Sequence, residues 1–450
     1  TANQLLDEIF EPFANPVYPN NLLHIVAINS GKLLEWISTQ PTTNYLAQQL
    51  RNILLGTSIH LDPRLRFIDL NQRSLVGGVD LATKTTTTEF INTLIDKLLG
   101  TTTNYWLSCP NCPAQTRCSA WESVCTLRHP ELGPVVRNHL ITALQTCHQR
   151  GEIHITIRDL RATLSYIFFG TEYCTDLHAK PDFYPQRYFE RAFNASSQHR
   201  QGELLTELAK LDPHLETTPI LDRQLLKVSK TTPLAPNTPR LAWMRRRQYF
   251  IATETNEQIY LAGGKYTQLF RDFPLLNVTE QHKICRNICI GIARLEDLPI
   301  IVFQEHNLAL GVPLKLTPRT KIESILWYVK PWANFSLQCS SLNVVPGLET
   351  LATQLQLSYQ YANGTQEHLT MSLELFSLLL ELKDGLQLSG GQEEKFVNLK
   401  IFTQRLVLED ARELYGYHPA SGNQIFRLWV QETPAGQTIT REIVNGHGYK

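Results

Sequence analysis

Apolar positions change their spacing several times along the chain, and each change predicts a different kind of element. Leu22–Ile28 ("LLHIVAI") is an apolar run with one histidine, the pattern of a strand buried in a parallel sheet. Asn29-Ser30-Gly31 interrupts it. Leu33, Leu34 and Ile37 resume at helical spacing, and a second helix follows over 45–55. "RLRFIDL" (Arg64–Leu70) reads as the next strand. Strand, polar turn, helices and strand, in that order, make part of an α/β layer.

From Thr86 the spacing becomes helical. Phe90, Ile91, Leu94, Ile95, Leu98 and Leu99 share a face, and Gly100 is the stop. A helix from Pro134 closes at Gly151. Another opens with Thr156 as N-cap and Asp159 three residues on, and ends at Gly170. Residues 181–240 are mixed: a short helix runs up to Asp212-Pro213, and the Pro/Thr-rich Lys230–Arg240 reads as a linker or strap. Beyond Pro299 the pattern predicts strands within 300–318 and 325–339 and helices over 371–416. Alternation around Pro434-Ala435-Gly436 predicts a closing hairpin. No internal repeat is visible. The expected layout is an α/β core over 1–85, a helical lid over 86–180, a mixed helical and linker region over 181–300, and an α+β region over 301–450.

Composition narrows the function classes. Lys+Arg and Asp+Glu both number 42, so no global field draws the chain to nucleic acid or to an anionic membrane. No apolar run reaches the roughly 18 residues of a membrane helix, and no signal peptide is visible. A cytoplasmic protein without membrane association is expected. The sequons at Asn194, Asn277, Asn334 and Asn363 have a spacing common by chance and do not establish a secretory route. The chain opens on Thr1 and its first methionine is Met244, which suggests processing or a longer parent chain.

Of nine cysteines, Cys109, Cys112, Cys118, Cys125, Cys147 and Cys174 fall within one short stretch. An odd total without a leader argues against a secreted disulfide framework. Cys109 and Cys112, in C-x2-C stiffened by Pro110 and Pro113, can grip one Zn2+ from a tight turn, and Cys118 can supply a third ligand. Cys174 is the preferred fourth, because it follows a helix end and is expected in a loop that can fold back. Cys125 and His178 are the alternatives. Such a site would be a structural staple, since a catalytic zinc keeps an open position. Free packed thiols are the plainer reading, and redox chemistry is a third.

The first 180 residues resemble the second half of an AAA+ ATPase module, on two motifs. "HIVAINSGKL" is similar to the family's buried strand ending in a polar residue, sensor 1, and would make Asn29 the residue that positions the attacking water. "TIRDLRATL" is similar to the helix opening that carries the sensor 2 arginine of the lid, and would place Arg158 there with Arg161 one turn on. An arginine so placed can hold a phosphate that straddles core and lid. The layout also looks like large bacterial P-loop ATPases of defence systems, such as phosphorothioation-dependent restriction ATPases. The shared features are "IVAINSGKL" (Ile25–Leu33), a cysteine insertion in the lid and a long C-terminal extension. The chain lacks the family's G-x-x-x-x-G-K-[ST] loop and its apolar strand ending in Asp-Glu. ATP and Mg2+ would therefore bind only with an N-terminal region missing from this sequence.

Two weaker signals remain. Leu388-Ser389-Gly390-Gly391-Gln392 matches the ABC-transporter signature but has no P-loop upstream, and a Gly-Gly helix entry explains it. Arg245-Arg246-Arg247, beside Trp243, Tyr249 and Phe250, has the basic-aromatic composition of a nucleic-acid contact, or of an arginine offered to another subunit. The expected function is the sensor, lid and effector-coupling portion of an ATP-dependent switch, working with other subunits or as a homo-oligomer. The alternative is a non-enzymatic zinc-stabilised scaffold.

Overall fold

A computed structural model describes the chain apart from residues 1, 18–22, 55–61, 63, 71–72, 101–104, 195–201, 217–218, 230–238, 253–258, 297, 299–306, 312–324, 340–348, 388–395, 409–412, 418–423, 434–435 and 445–450. It divides into two compact units, Thr1–Leu70 and Asn71–Lys450.

The first unit packs α1 (Ala2–Phe10), α2 (Ser30–Thr39) and α3 (Tyr45–Leu54) around Leu6, Phe10, Leu33, Trp36, Ile37, Leu46 and Leu50. The Trp36 indole N–H donates to Asp7 at 2.8 Å, so α2 is anchored to α1 by a polar bond as well as by apolar burial. The two strands expected at 22–28 and 64–70 do not form: among its described residues this unit contains no β-ladder. What survives of the strand pattern is its period. From Ile25 to Asn29, and again from Arg64 to Leu70, half-buried side chains (Val26, Ile28, Leu65, Phe67) alternate with exposed ones. One face of each segment rests on the helical core, whereas Leu23 and Ile25 remain 85% and 90% exposed. A buried strand needs neighbours on both edges and cover on both faces, and among the described residues neither segment has them.

Asp62 fastens the second of these segments. It accepts from the Arg64 backbone N–H at 2.9 Å and from its guanidinium at 2.8 and 3.0 Å, and from the Tyr45 hydroxyl at 3.1 Å. Arg64, through its side-chain and backbone bonds, holds the Asp62 carboxyl at about 2. A carboxyl whose pKa is depressed by folding stabilises the fold above its unfolded value, and loses that stabilisation as pH falls through the folded value. Between about pH 4 and pH 2 the first unit should therefore lose stability faster than an Asp62→Asn variant. Near-ultraviolet dichroism during acid titration reads this, and parallel acid profiles for the two proteins would refute it.

In the second unit the boundary falls at residue 70 rather than 85 because residues 73–80 are tied to the C-terminal half. Arg73 pairs with Glu349 at 2.8 Å, and Val79 exchanges backbone bonds with Thr350. A small hairpin, β1 (Gly78–Asp80) and β2 (Thr85–Thr87), precedes a helical body. That body comprises α4 (Glu89–Leu99), α5 (Ser119–Arg128), α6 (Leu132–Arg150), α7 (Ile157–Phe169), α8 (Cys174–Ala179), α9 (Tyr188–Arg191), α10 (Glu203–Lys210), α11 (Pro219–Ser229) and α12 (Arg240–Ile251). α4 and α6 stop at Gly100 (φ 60°) and Gly151 (φ 71°), as expected, because the left-handed cap conformation strains any residue with a Cβ. Thr156 and Asp159 form the expected reciprocal capping box at the start of α7.

The rest of the unit is α+β. Helices α13 (Thr267–Asp272), α14 (Val278–Leu295) and α15 (Leu373–Lys383) share a core with β5 (Phe335–Cys339), β6 (Gln354–Gln360) and β7 (Gln366–Ser372), which form a sheet in that order. β3 (Asn307–Gly311) and β4 (Ile325–Pro331) belong to a five-stranded sheet with β8 (Glu413–Tyr417), β9 (Ile425–Thr433) and β10 (Gly436–Val444), in the order β10-β9-β8-β4-β3. Every ladder among the described residues is antiparallel. β9 and β10 make the expected terminal hairpin. The helix expected to run to residue 416 stops instead: α16 spans Val397–Leu408, and Glu413–Tyr417 is strand β8. Tyr415 stacks on Trp327, and Glu413 pairs with Arg427. Cross-strand pairing of aromatic and charged residues on a half-buried surface outweighs helix propensity there.

Candidate functional site

The cysteine-bearing segment is built from tight turns. The Cys112 N–H donates to the Cys109 carbonyl at 3.1 Å, closing a 3-10 turn around Pro110, and the Cys118 N–H donates to the Gln115 carbonyl at 3.2 Å. Cys118 is the N-cap of α5, and its sulfur accepts from the Trp121 N–H at 3.4 Å.

Arg117 carries this turn to a distant segment. Its guanidinium donates to the Leu177, Lys180 and Phe183 carbonyls at 2.9, 3.0 and 3.3 Å, around the C-terminal end of α8. α8 bears Cys174 and His178 four residues apart, hence on one face. The His178 Nε2 lies 3.5 Å from the Cys112 sulfur. Burial raises the Cys109 thiol above its ordinary pKa, and the neighbouring Cys118, Cys174, Cys112 and Cys125 sulfurs add to the rise. The expected ligands Cys109, Cys112, Cys118 and Cys174 thus share one neighbourhood. Among the described residues, however, no three histidine, cysteine or carboxylate side chains already converge closely enough to grip an ion.

The residues expected to meet nucleotide fall in different units. Asn29 is in the first unit, where it is the N-cap of α2: its Oδ1 accepts from the Gly31 N–H at 2.8 Å and the Lys32 N–H at 3.4 Å. Arg158 and Arg161 are in the second unit, both exposed on the first turns of α7, while Leu160, Leu164, Ile167 and Phe168 bury the opposite face. A cation opening a helix is disfavoured by the helix dipole, and an anion seated there would offset that cost.

The arginine triplet is mostly internal. Arg245 is 3% exposed and bonds Asp222 at 2.6 Å and the Pro213 carbonyl at 3.1 Å. Arg246 forks onto Asp212 at 2.5 and 3.1 Å. Arg247 faces solvent over Trp243, so the triplet leaves one exposed arginine for an external contact. The pattern RRR hid this because consecutive helix positions point in three directions. The ABC-like stretch Leu388–Gln392 lies outside the described residues.

A feature the sequence did not suggest is a cavity of about 530 Å3 at the α5–α6 corner, lined in part by Thr88, Asn92, Arg128, His129, Arg137 and Asn138. Its arginines have structural partners: Arg128 bonds the Leu99 and Gly100 carbonyls, and Arg137 bonds Asp96 at 2.8 Å. No described helix is long and apolar enough to cross a membrane. Against protein-family models, curated proteins and solved structures, the chain shows no significant match.

Proposed function

We propose that this chain is the sensor, lid and effector-coupling portion of an AAA+-like ATP-dependent switch. The observation that carries the reading is the pair of period-two segments at 25–29 and 64–70. Each lays one face on helices and leaves the other uncovered, and no ladder pairs them among the described residues. That is how two strands of an α/β layer behave when the neighbouring strands, with the phosphate-binding loop, come from elsewhere. Asn29 stands at the end of the first segment, at the entry of a helix. The exposed Arg158 and Arg161, on a helix whose opposite face is buried in a packed body, fit a lid that meets phosphate. ATP and Mg2+ would be held by residues outside this sequence, and the antiparallel C-terminal sheets would receive the motion.

The competing reading is a partner-binding scaffold. It is favoured by the local duty of Asn29, whose side chain already caps α2. The two readings separate in the assembly that contains the phosphate-binding loop. On the switch reading, Asn29→Ala lowers turnover more than ATP affinity, and Arg158→Ala weakens binding, turnover or both. Each change should be about 10-fold or larger for a contact worth roughly 1.5–3 kcal/mol. On the scaffold reading, Asn29→Ala removes an N-cap worth about 1 kcal/mol and leaves turnover per folded molecule unchanged, and Arg158→Ala is silent. Unchanged kinetics in both variants would sink the switch.

A further inference from the structure

We infer that Cys109, Cys112, Cys118 and His178 form a closed, structural Zn2+ site that staples the 107–118 turn to α8. This does not depend on the ATPase reading, since the site needs no nucleotide.

Three geometric observations carry it. First, the turn presents two sulfurs from C-x2-C about a single 3-10 turn, with the third sulfur at the N-cap of α5, where it accepts from the Trp121 N–H at 3.4 Å. Second, Arg117 lies between the second and third cysteines and spends its guanidinium on three carbonyls at the end of α8, which fixes the two segments side by side although some sixty residues separate them in sequence. Third, the Cys112 sulfur and the His178 Nε2 are 3.5 Å apart. A tetrahedral ion with Zn–S of about 2.3 Å and Zn–N of about 2.0–2.1 Å places its sulfur and nitrogen about 3.5–3.6 Å from each other. That edge of the tetrahedron is already present.

The same distance decides the fourth ligand. Cys174 and His178 share a face of α8, and His178 lies 3.5 Å from the Cys112 sulfur. The site is not fully drawn together. Neutral thiols have no reason to converge, and Cys109, Cys112 and Cys118 are all part-exposed, so their side chains have room to rotate inward. Zn2+ supplies the attraction. On binding, three S–H bonds break, three protons pass to water and three thiolates coordinate. His178 coordinates through the Nε2 lone pair as neutral imidazole, with its proton on Nδ1. The closed site carries one net negative charge.

The test uses the full chain purified without chelator. Elemental analysis should find about one zinc per chain. Cys109→Ser, Cys112→Ser, Cys118→Ser and His178→Ala should each lose most of it, while Cys174→Ser and Cys125→Ser keep it. Loss of a structural ligand can also unfold the lid, so His178→Cys serves as the rescue. It should retain the metal, and in the Co2+-substituted protein its thiolate-to-metal absorption should intensify as a fourth sulfur joins. Sub-stoichiometric zinc that rises by less than a fifth on titration into wild type would overturn the site. Zinc lost from Cys174→Ser but kept by His178→Ala would overturn the assignment of the fourth ligand.

Discussion

Replacing Arg191 with alanine is expected to destabilise the helical body by about 3–5 kcal/mol, the range for stripping one partner from a buried charged network. Arg191 is 1% exposed. Its Nε and Nη2 donate to the Ile167 and Phe168 carbonyls at 2.8 and 2.9 Å, and its Nη1 donates to the Ser119 hydroxyl at 3.0 Å and the Gln186 carbonyl at 2.5 Å. Two of these acceptors are last-turn carbonyls of α7, where the helix carries partial negative charge. The guanidinium therefore caps α7, reaches the first residue of α5 and holds the strap that leads into α9. Burial pulls its pKa down to about 10, yet it stays protonated at neutral pH. Alanine would leave four acceptors without this donor in a space that admits little water, and each buried orphan costs about 1–3 kcal/mol. Lysine keeps the charge but is a point donor that cannot fork across separated carbonyls, so Arg191→Lys should recover less than half of the loss. Denaturant midpoints for wild type and the two variants measure this. A loss below about 1 kcal/mol for alanine would show that water replaces the guanidinium.

A second large effect is expected at Gly291, in the middle of α14. Alanine is normally favoured over glycine in a helix by about 1 kcal/mol. Here the sign should reverse. A Cβ at 291 would lie 2.1 Å from the Leu379 carbonyl oxygen and 3.0 Å from its Cα, both backbone atoms of α15. Backbone cannot rotate away as a side chain can, so the helices must part. Their interface holds Ile288, Ile292, Phe376 and Leu380 in the C-terminal core. Parting them forfeits dispersion contacts along the whole crossing. Gly291→Ala should cost about 1–3 kcal/mol and Gly291→Val more, read as a drop in denaturant midpoint with the sheet-rich part unfolding first. A more stable alanine variant would mean that the two helices are free to shift.

Much of this architecture could be read from the chain itself. α4, α6 and α7 appear where local periodicity and their caps put them, because an N-cap, a heptad-like apolar face and a glycine stop act over a few residues. The terminal hairpin follows from alternation for the same reason. The clustering of cysteines was also legible, since C-x2-C is a short-range pattern. What sequence spacing cannot specify is which distant segment meets the turn. Arg117 and the proximity of His178 to Cys112 decide that through space.

The misreadings share one cause. Arg245 and Arg246 look like an external basic patch in sequence, but their carboxylate partners, Asp222 and Asp212, are brought to them only by helix packing. Residues 413–417 have helical composition, yet β4 and β9 on either side offer them backbone partners. The 23–29 and 64–70 runs have strand composition, and no described ladder takes them up. Secondary structure at the ends of elements is a competition between local propensity and available partners. The chain by itself determined its helices, its turns and the segment where thiols concentrate, because those depend on neighbours a few residues away. Tertiary structure decided which strands find a ladder, which arginines are buried, and which histidine faces the thiols, because hydrogen bonds and charge pairs between segments far apart in sequence exist only once the cores have packed.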